Sequence, residues 1–317
     1  MTALTLDAEP ACPGPVEAAD RPAGTDVATA SAPALRAKRR PFADIPRETW
    51  DALAARQPWA TPFSAWAFQR AWWDAYAPNA HEETLVVLDD SKEIVAIVPL
   101  MHRHEVEPSD ALTHTTMRHG ANVALTPVPP TAKAIFFGAS YHADYATILA
   151  DPSDLSAVAA ALADYLAGPD CGPWDAVDLR RLRCGDPAAD ALAAALGARE
   201  MAEGWTLNVE REDVCPVVTF PEGVDMEGFL ATLGKKERHE IRRKVRRAEA
   251  VGEITLEDSA DPLADLEAFI DLHQKRWGAD GLFPPTPWRR PEPRAFPSVI
   301  RALWSGRSAA PDLPVRG

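Results

Sequence analysis

The stretch "ETLVVLDDSKEIVAIVPLMHRH", residues 83–104, constrains the fold more than any other. Two runs of β-branched and apolar residues flank the polar turn Asp89-Asp90-Ser91-Lys92, the pattern of a β-hairpin. A chain with such a hairpin must supply further strands and a cover for the sheet's apolar face. "AIFFGASYHADYATILA" downstream adds two short strands, "WDAVDLRRL" another and "GWTLNVERE" one more.

Helices supply the cover. "PFADIPRETWDALAARQ" reads as a turn followed by a helix with Trp50 and Leu53 on one face. In "TPFSAWAFQRAWWDAYA" Ser64 is placed to cap a helix whose Ala65, Phe68, Trp72 and Tyr76 make a core-facing stripe. Two more helices are expected, one from about Asp154 to Ala167 and one in "DPAADALAAALG" ending at Gly197. Strands and helices mix without strict βα alternation. The expected class is therefore α/β, as an α+β layer on a mixed sheet.

At 317 residues, with 46% hydrophobic residues, the chain has material for two modest cores. Residues 1–40 hold eleven Ala and five Pro but no aromatic residue, and read as a disordered tail. Residues 284–317 hold eight Pro and six Arg and read as a second irregular tail. Cys12, Cys171, Cys184 and Cys215 show no CxxC pairing, which argues against structural zinc and for a reducing, cytoplasmic setting with inert buried thiols at 184 and 215. No run of about 18 apolar residues is present to span a membrane.

The oddest segment is "LGKKERHEIRRKVRRAEAVGE", residues 233–253. Eight of the chain's 33 basic residues fall within 235–247, although the net charge is −14. Three readings are open: a nucleic-acid helix, an anion-binding helix in an enzyme, or a solvated face. Ile241, Val245 and Ala248 form a narrow apolar seam that would anchor the helix to the body, with basic residues wrapped around the rest. Nucleic acid is disfavoured, since the acidic whole repels a polyanion and the cations follow no single track. An anchored helix would instead turn Lys235, Lys236, Arg238, Arg242 and Arg243 toward a cleft, where free N–H groups of its first turn also favour an anion.

Asp225 should cap a short preceding helix, "EITLED" should form a strand, and "DPLADLEAFIDLHQKRWGADG" a helix that buries Leu266, Phe269, Ile270, His273 and Trp277. Asp144-Tyr145, at a strand start, could orient a substrate amine, or be no more than a strand-entry turn. His102 and His104 lack a third ligand, so no metal is expected. Walker A, G-x-S-x-G and H-E-x-x-H motifs are absent from the sequence.

Taken in order, "TPFSAWAFQRAWWDAY", "IVAIVPLMHRH", "FFGASYHADYATILA", "KKERHEIRRKVRRAE" and "FIDLHQKRWGADGLF" resemble the FemAB-like acyltransferases of the GNAT superfamily, including CelD-type acetyltransferases. The resemblance implies tandem GNAT-like domains that move an acyl group from acetyl-CoA or another acyl-CoA to a small-molecule amine. It places the basic helix near the cleft and gives its cations a phosphate. With Asp144 and Tyr145, His273 and Trp277 complete the candidate binding set.

GNAT enzymes also hold the CoA pyrophosphate on a [QR]-x-x-G-x-[GA] turn, and this sequence has none; "RHGAN" at 118–122 lacks the spacing. The expected organisation is therefore a complete GNAT-like domain at 41–213 and an incomplete, truncated second one at 214–283, inactive alone or completed by a partner chain. The alternative is a noncatalytic binding module that uses helix 235–247 on nucleic acid or an acidic partner.

Overall fold

The structure, a computed structural model, describes residues 35–76, 81–103, 133–139, 143–207, 209, 215, 217–220 and 222–278. The hairpin forms as expected. Strands β3 (Leu85–Leu88) and β4 (Ile94–Val98) pair antiparallel, with Val86 opposite Ile97. Asp89 closes the turn by accepting the Lys92 N–H on its carbonyl and the Glu93 N–H on its carboxylate. Lys92 takes a left-handed conformation, φ 65°, which the turn requires.

Strand β1 (Arg36–Arg39) lies on the outer side of β3, with Arg36 opposite Leu88. Residues 36–39 thus leave the tail expected for 1–40. A polar, Arg-rich edge strand carries no apolar signal, and only its pairing reveals it. The rest of that segment lies outside the described residues.

The strands divide into two four-stranded sheets, β1-β3-β4-β7 and β2-β5-β6-β8. β2 (His81–Glu82) pairs with β5 (Leu100–Arg103), and the register of β3 with β4 continues into it without a slip: Leu85 faces Val98, and Glu82 faces Met101. Between them the Glu83 N–H still bonds the Leu100 carbonyl, 3.0 Å away. Pro99 has no N–H to give, and there the ladder lapses.

The other side of the same ribbon behaves differently. β6 (Ala134–Phe137) pairs with β5, Phe137 opposite Leu100, and β7 (Leu149–Ala150) pairs with β4, Leu149 opposite Ile97. Continued unbroken, the β6 register would bring residue 140 opposite Ile97. Leu149 stands there instead, nine residues later. One strand is interrupted at Pro99 by an excursion, and the Gly138 N–H bonds the Pro99 carbonyl at 2.7 Å where the pairing stops. β8 (Ala176–Asp178) runs parallel to β6 and makes the sheet mixed, as expected.

Alternation sorts the side chains onto two faces. Leu85, Val87, Ala96, Val98, Leu100 and Phe137 meet α3 (Leu155–Ala167) and α4 (Pro187–Gly197) on one side. Val86, Ile97, Met101 and Leu149 meet α1 (Arg47–Arg56) and α2 (Trp66–Tyr76) on the other, through Trp50, Leu53, Phe68 and Trp72. The result is a helix–sheet–helix sandwich. Ser64 closes the 3-10 turn Pro62–Ser64 that leads into α2 rather than capping the helix: its N–H bonds the Thr61 carbonyl and its hydroxyl accepts the Thr61 N–H. The side chain of Tyr76 lies outside the described residues.

Glu83 and Asp186 are the buried carboxylates among the described residues. Glu83, 3% exposed, accepts the Tyr165 hydroxyl at 2.5 Å and lies 3.6 Å from both Arg39 Nε and His102 Nδ1. Burial, and then Glu83, push the Tyr165 phenol far above its ordinary range, so it remains a donor.

Beyond the short helix α5 (Glu200–Glu203), which Gly204 ends in a left-handed conformation, the described residues of "GWTLNVERE" form no strand. The described residues from 215 to 278 carry three helices and no strand: α6 (Met226–Thr232), α7 (Lys235–Glu249) and α8 (Pro262–Trp277). "EITLED" forms no strand and is solvated, with Leu256 99% exposed. Asp225 caps α6 as expected, accepting the Gly228 N–H at 2.7 Å.

Candidate functional site

The residues that the sequence nominates fall on two helices, α7 and α8, and in one strand region. The first is the basic helix α7. Its N-cap is Gly234, with no side chain to satisfy the first turn; Glu237 folds its carboxylate back against that glycine. The expected anchoring seam is not covered: no residue of α7 is buried, and Val245 is 45% exposed. A 3.6-residue repeat shows that an apolar edge exists, not that anything covers it.

Arg242 pairs with Glu227 of α6, and Arg243 grips Glu240 through two bonds, 2.9 and 2.7 Å long; Lys244 joins Glu240 at 3.7 Å. Arg243 holds the Glu240 carboxyl down at about 2, and Glu240 in turn raises Arg243. Two of the five nominated cations are thus already neutralised. Among the described residues, Lys235, Lys236 and Arg238 form no ion pair, and neither do Arg246 and Arg247 at the other end. The unpaired charge lies at both tips of the helix, and the nominated share of it lies where the dipole and free N–H groups also favour an anion.

In α8, only Leu266 of the nominated apolar face is buried. Phe269 and Trp277 are 49% and 54% exposed, and His273 sits half-buried between their rings at 6.2 and 6.4 Å. Arg276 lies over the Trp277 ring.

The strand region is the excursion. Asp144 is exposed and Tyr145 half-buried, with the Tyr145 ring between Phe63 and the Arg183 guanidinium. Arg183 also stacks on Trp59 at 4.8 Å and donates to its carbonyl. The neighbouring Cys215 thiol, and then burial, raise the Tyr145 phenol above its ordinary range. Tyr145 is therefore a neutral hydroxyl at physiological pH, able to donate or accept but not to serve as a base.

Cys215 and Cys184 are exposed, against the expectation of buried thiols, and Cys184 is disulfide-bonded. Among the described residues, no hydrogen bond, ion pair or ring contact joins Asp144 or Tyr145 to the α7 cations. No group of described residues could hold a metal ion, and no described helix is long and apolar enough to cross a membrane. His104 and "RHGAN" lie outside the described residues.

Residues missed by sequence reasoning include Gln69, Arg183 and Glu83. A buried polar side chain on α2 and an arginine stacked between two rings leave no motif, because their partners come from distant parts of the chain.

Comparison with known proteins adds one finding. Residues 235–310 match the family described as acetyltransferase (GNAT) domain. The match opens at the first residue of α7 and runs through the segment read above as an irregular tail. The matched segment is less than half of the chain, and the mixed α/β architecture is compatible with a GNAT fold. No curated protein and no solved structure matches the chain.

Proposed function

We propose that the protein is an N-acyltransferase of the FemAB-like, CelD-like kind, which passes an acyl group from acyl-CoA to the amine of a small molecule. The observation that carries this reading is the GNAT match beginning at α7, the helix whose N-terminal tip holds Lys235, Lys236 and Arg238 without ion-pair partners. Those side chains, with the free N–H groups of the first turn, suit the phosphates of CoA.

The chemistry is nucleophilic acyl substitution. The amine nitrogen bonds to the thioester carbonyl carbon, the carbon–sulfur bond breaks, the amine loses a proton, and the thiolate of CoA gains one. Catalysis of this kind rests on positioning and on N–H groups aimed at the developing oxyanion, so it needs no triad. Because the sequence carries no [QR]-x-x-G-x-[GA] turn, binding of acetyl-CoA should be easier to detect than turnover. The noncatalytic alternative gains nothing from the comparisons.

Acetyl-CoA should raise the melting temperature. Replacing Lys235, Lys236 and Arg238 together by Ala should weaken its binding about tenfold or more, a difference of about 1.4 kcal/mol. Arg242→Ala should do less, since Glu227 already holds that charge. Equal affinity in the triple variant and the parent would overturn the assignment of these cations, and the absence of any acetyl-CoA shift would overturn the reading itself.

A further inference from the structure

We infer that the cavity beneath the strand excursion is a subsite for the hydrogen-bond-donating head of a small primary amine. Its floor is Gln69 of α2, only 4% exposed. The Gln69 amide nitrogen donates to the Phe63 carbonyl at 3.1 Å, which fixes the side chain's orientation and leaves Oε1 as a pure acceptor. That oxygen is buried and has no hydrogen-bond partner. Native proteins rarely leave such an atom unpaired, since it has given up its bond to water and gained none in return.

The space beside it is shaped for one small donor. The cavity measures about 10 Å³, room for a group the size of a water molecule, and an amine head has that size. Phe63, Phe137 and Leu149 provide apolar walls, and Ser64, Thr147 and Tyr145 also line it. Gly138 keeps it open: a Cβ there would come within 3.3 Å of Gln69 Oε1 and of the Pro99 Cβ. The glycine sits where the interrupted strand departs, so the gap in the sheet and the acceptor belong to one arrangement. Asp144 and Arg183 near Tyr145 carry opposite charges, which leaves hydrogen bonding and size, rather than net charge, to select the occupant.

The choice of an amine rests on the acyl-transfer reading; the existence of a donor site does not. The test is a titration of the full chain with ethanolamine, read by ligand-observed NMR in the absence of any acyl-CoA. Ethanolamine should bind, while trimethylamine, a bulkier head, should bind at least tenfold more weakly. Gly138→Ala should reduce ethanolamine affinity at least tenfold and leave the acetyl-CoA melting shift unchanged. If that variant fails to fold, Gln69→Met removes the acceptor at similar volume and should show the same loss. No ethanolamine binding, or binding indifferent to both Gly138 and Gln69, would mean that the cavity holds water alone. Because acetyl-CoA is measured separately, that outcome leaves the transferase reading to stand or fall on its own.

Discussion

At the scale of single residues, the most consequential contact is between two that no motif connects. Glu83 sits in the core, and the Tyr165 hydroxyl is its shortest partner. Tyr165→Phe removes that donor and leaves a buried carboxylate short of a bond, so chemical denaturation should show a loss of about 1.5–3 kcal/mol. Cys171 gives a second residue-level test. Burial pushes its thiol up to about 11 from an ordinary 9.0, with Glu83 adding to the rise and Lys133 opposing it. The folded state therefore keeps the proton that the unfolded state gives up. The resulting stability is full below pH 9 and is lost as pH climbs toward 11. Cys171→Ala should flatten this alkaline slope in pH-dependent melting curves. With a thiol reagent at pH 8, Cys215→Ser should abolish a fast phase, whereas Cys171→Ser should not.

At the scale of elements, sequence periodicity carried far. The hairpin, α1, α3, α4 and the Asp225 cap stand where patterning puts them, because each is fixed by residues close in sequence. The nine-residue register offset between β6 and β7 was not legible, since it is a relation between two strands and a third. Nor could periodicity tell that the apolar edges of α7 and α8 lack cover, for it describes a helix and not its neighbours.

Helix α4 offers a test at this scale. Its N-cap, Asp186, is 1% exposed and accepts the Ala188 N–H at 2.9 Å. Burial raises its carboxyl above the ordinary 3.8, outweighing the lowering by Ala188, Thr147 and Arg183. A raised carboxyl contributes stability below its unfolded value and loses it as pH rises through the folded one. Asp186→Asn keeps the cap without the charge, so it should match the parent near pH 3 and exceed it at pH 7. Asp186→Ala should lose about 1 kcal/mol near pH 3 and less at pH 7, where the parent's own buried charge already lowers its stability.

At the scale of the whole molecule, burial is uneven. Two cores enclose the sheet between residues 35 and 207, whereas from 215 to 278 Leu230 and Leu266 are the buried hydrophobics among the described residues. Local opening follows the density of buried contacts. Hydrogen exchange on the full chain should place the slowest amides in β3, β4 and α3, with α7 and α8 exchanging orders of magnitude faster. Protection of α7 equal to that of β4 would contradict this division. Addition of acetyl-CoA should slow exchange in the first turn of α7 if its cations engage the ligand.

The interruption opposite Pro99 has a practical corollary. Since the ladder already lapses there, the described part of the span between Phe137 and Leu149 is held by other means: the Ala146 N–H bonds the Arg181 carbonyl and the Gln57 amide bonds the Ile148 carbonyl, each at 3.0 Å, while Ala139, Ala143, Thr147 and Ile148 are buried. Insertions there should therefore lower the melting temperature by loosening those buried side chains, even though they break no strand pairing.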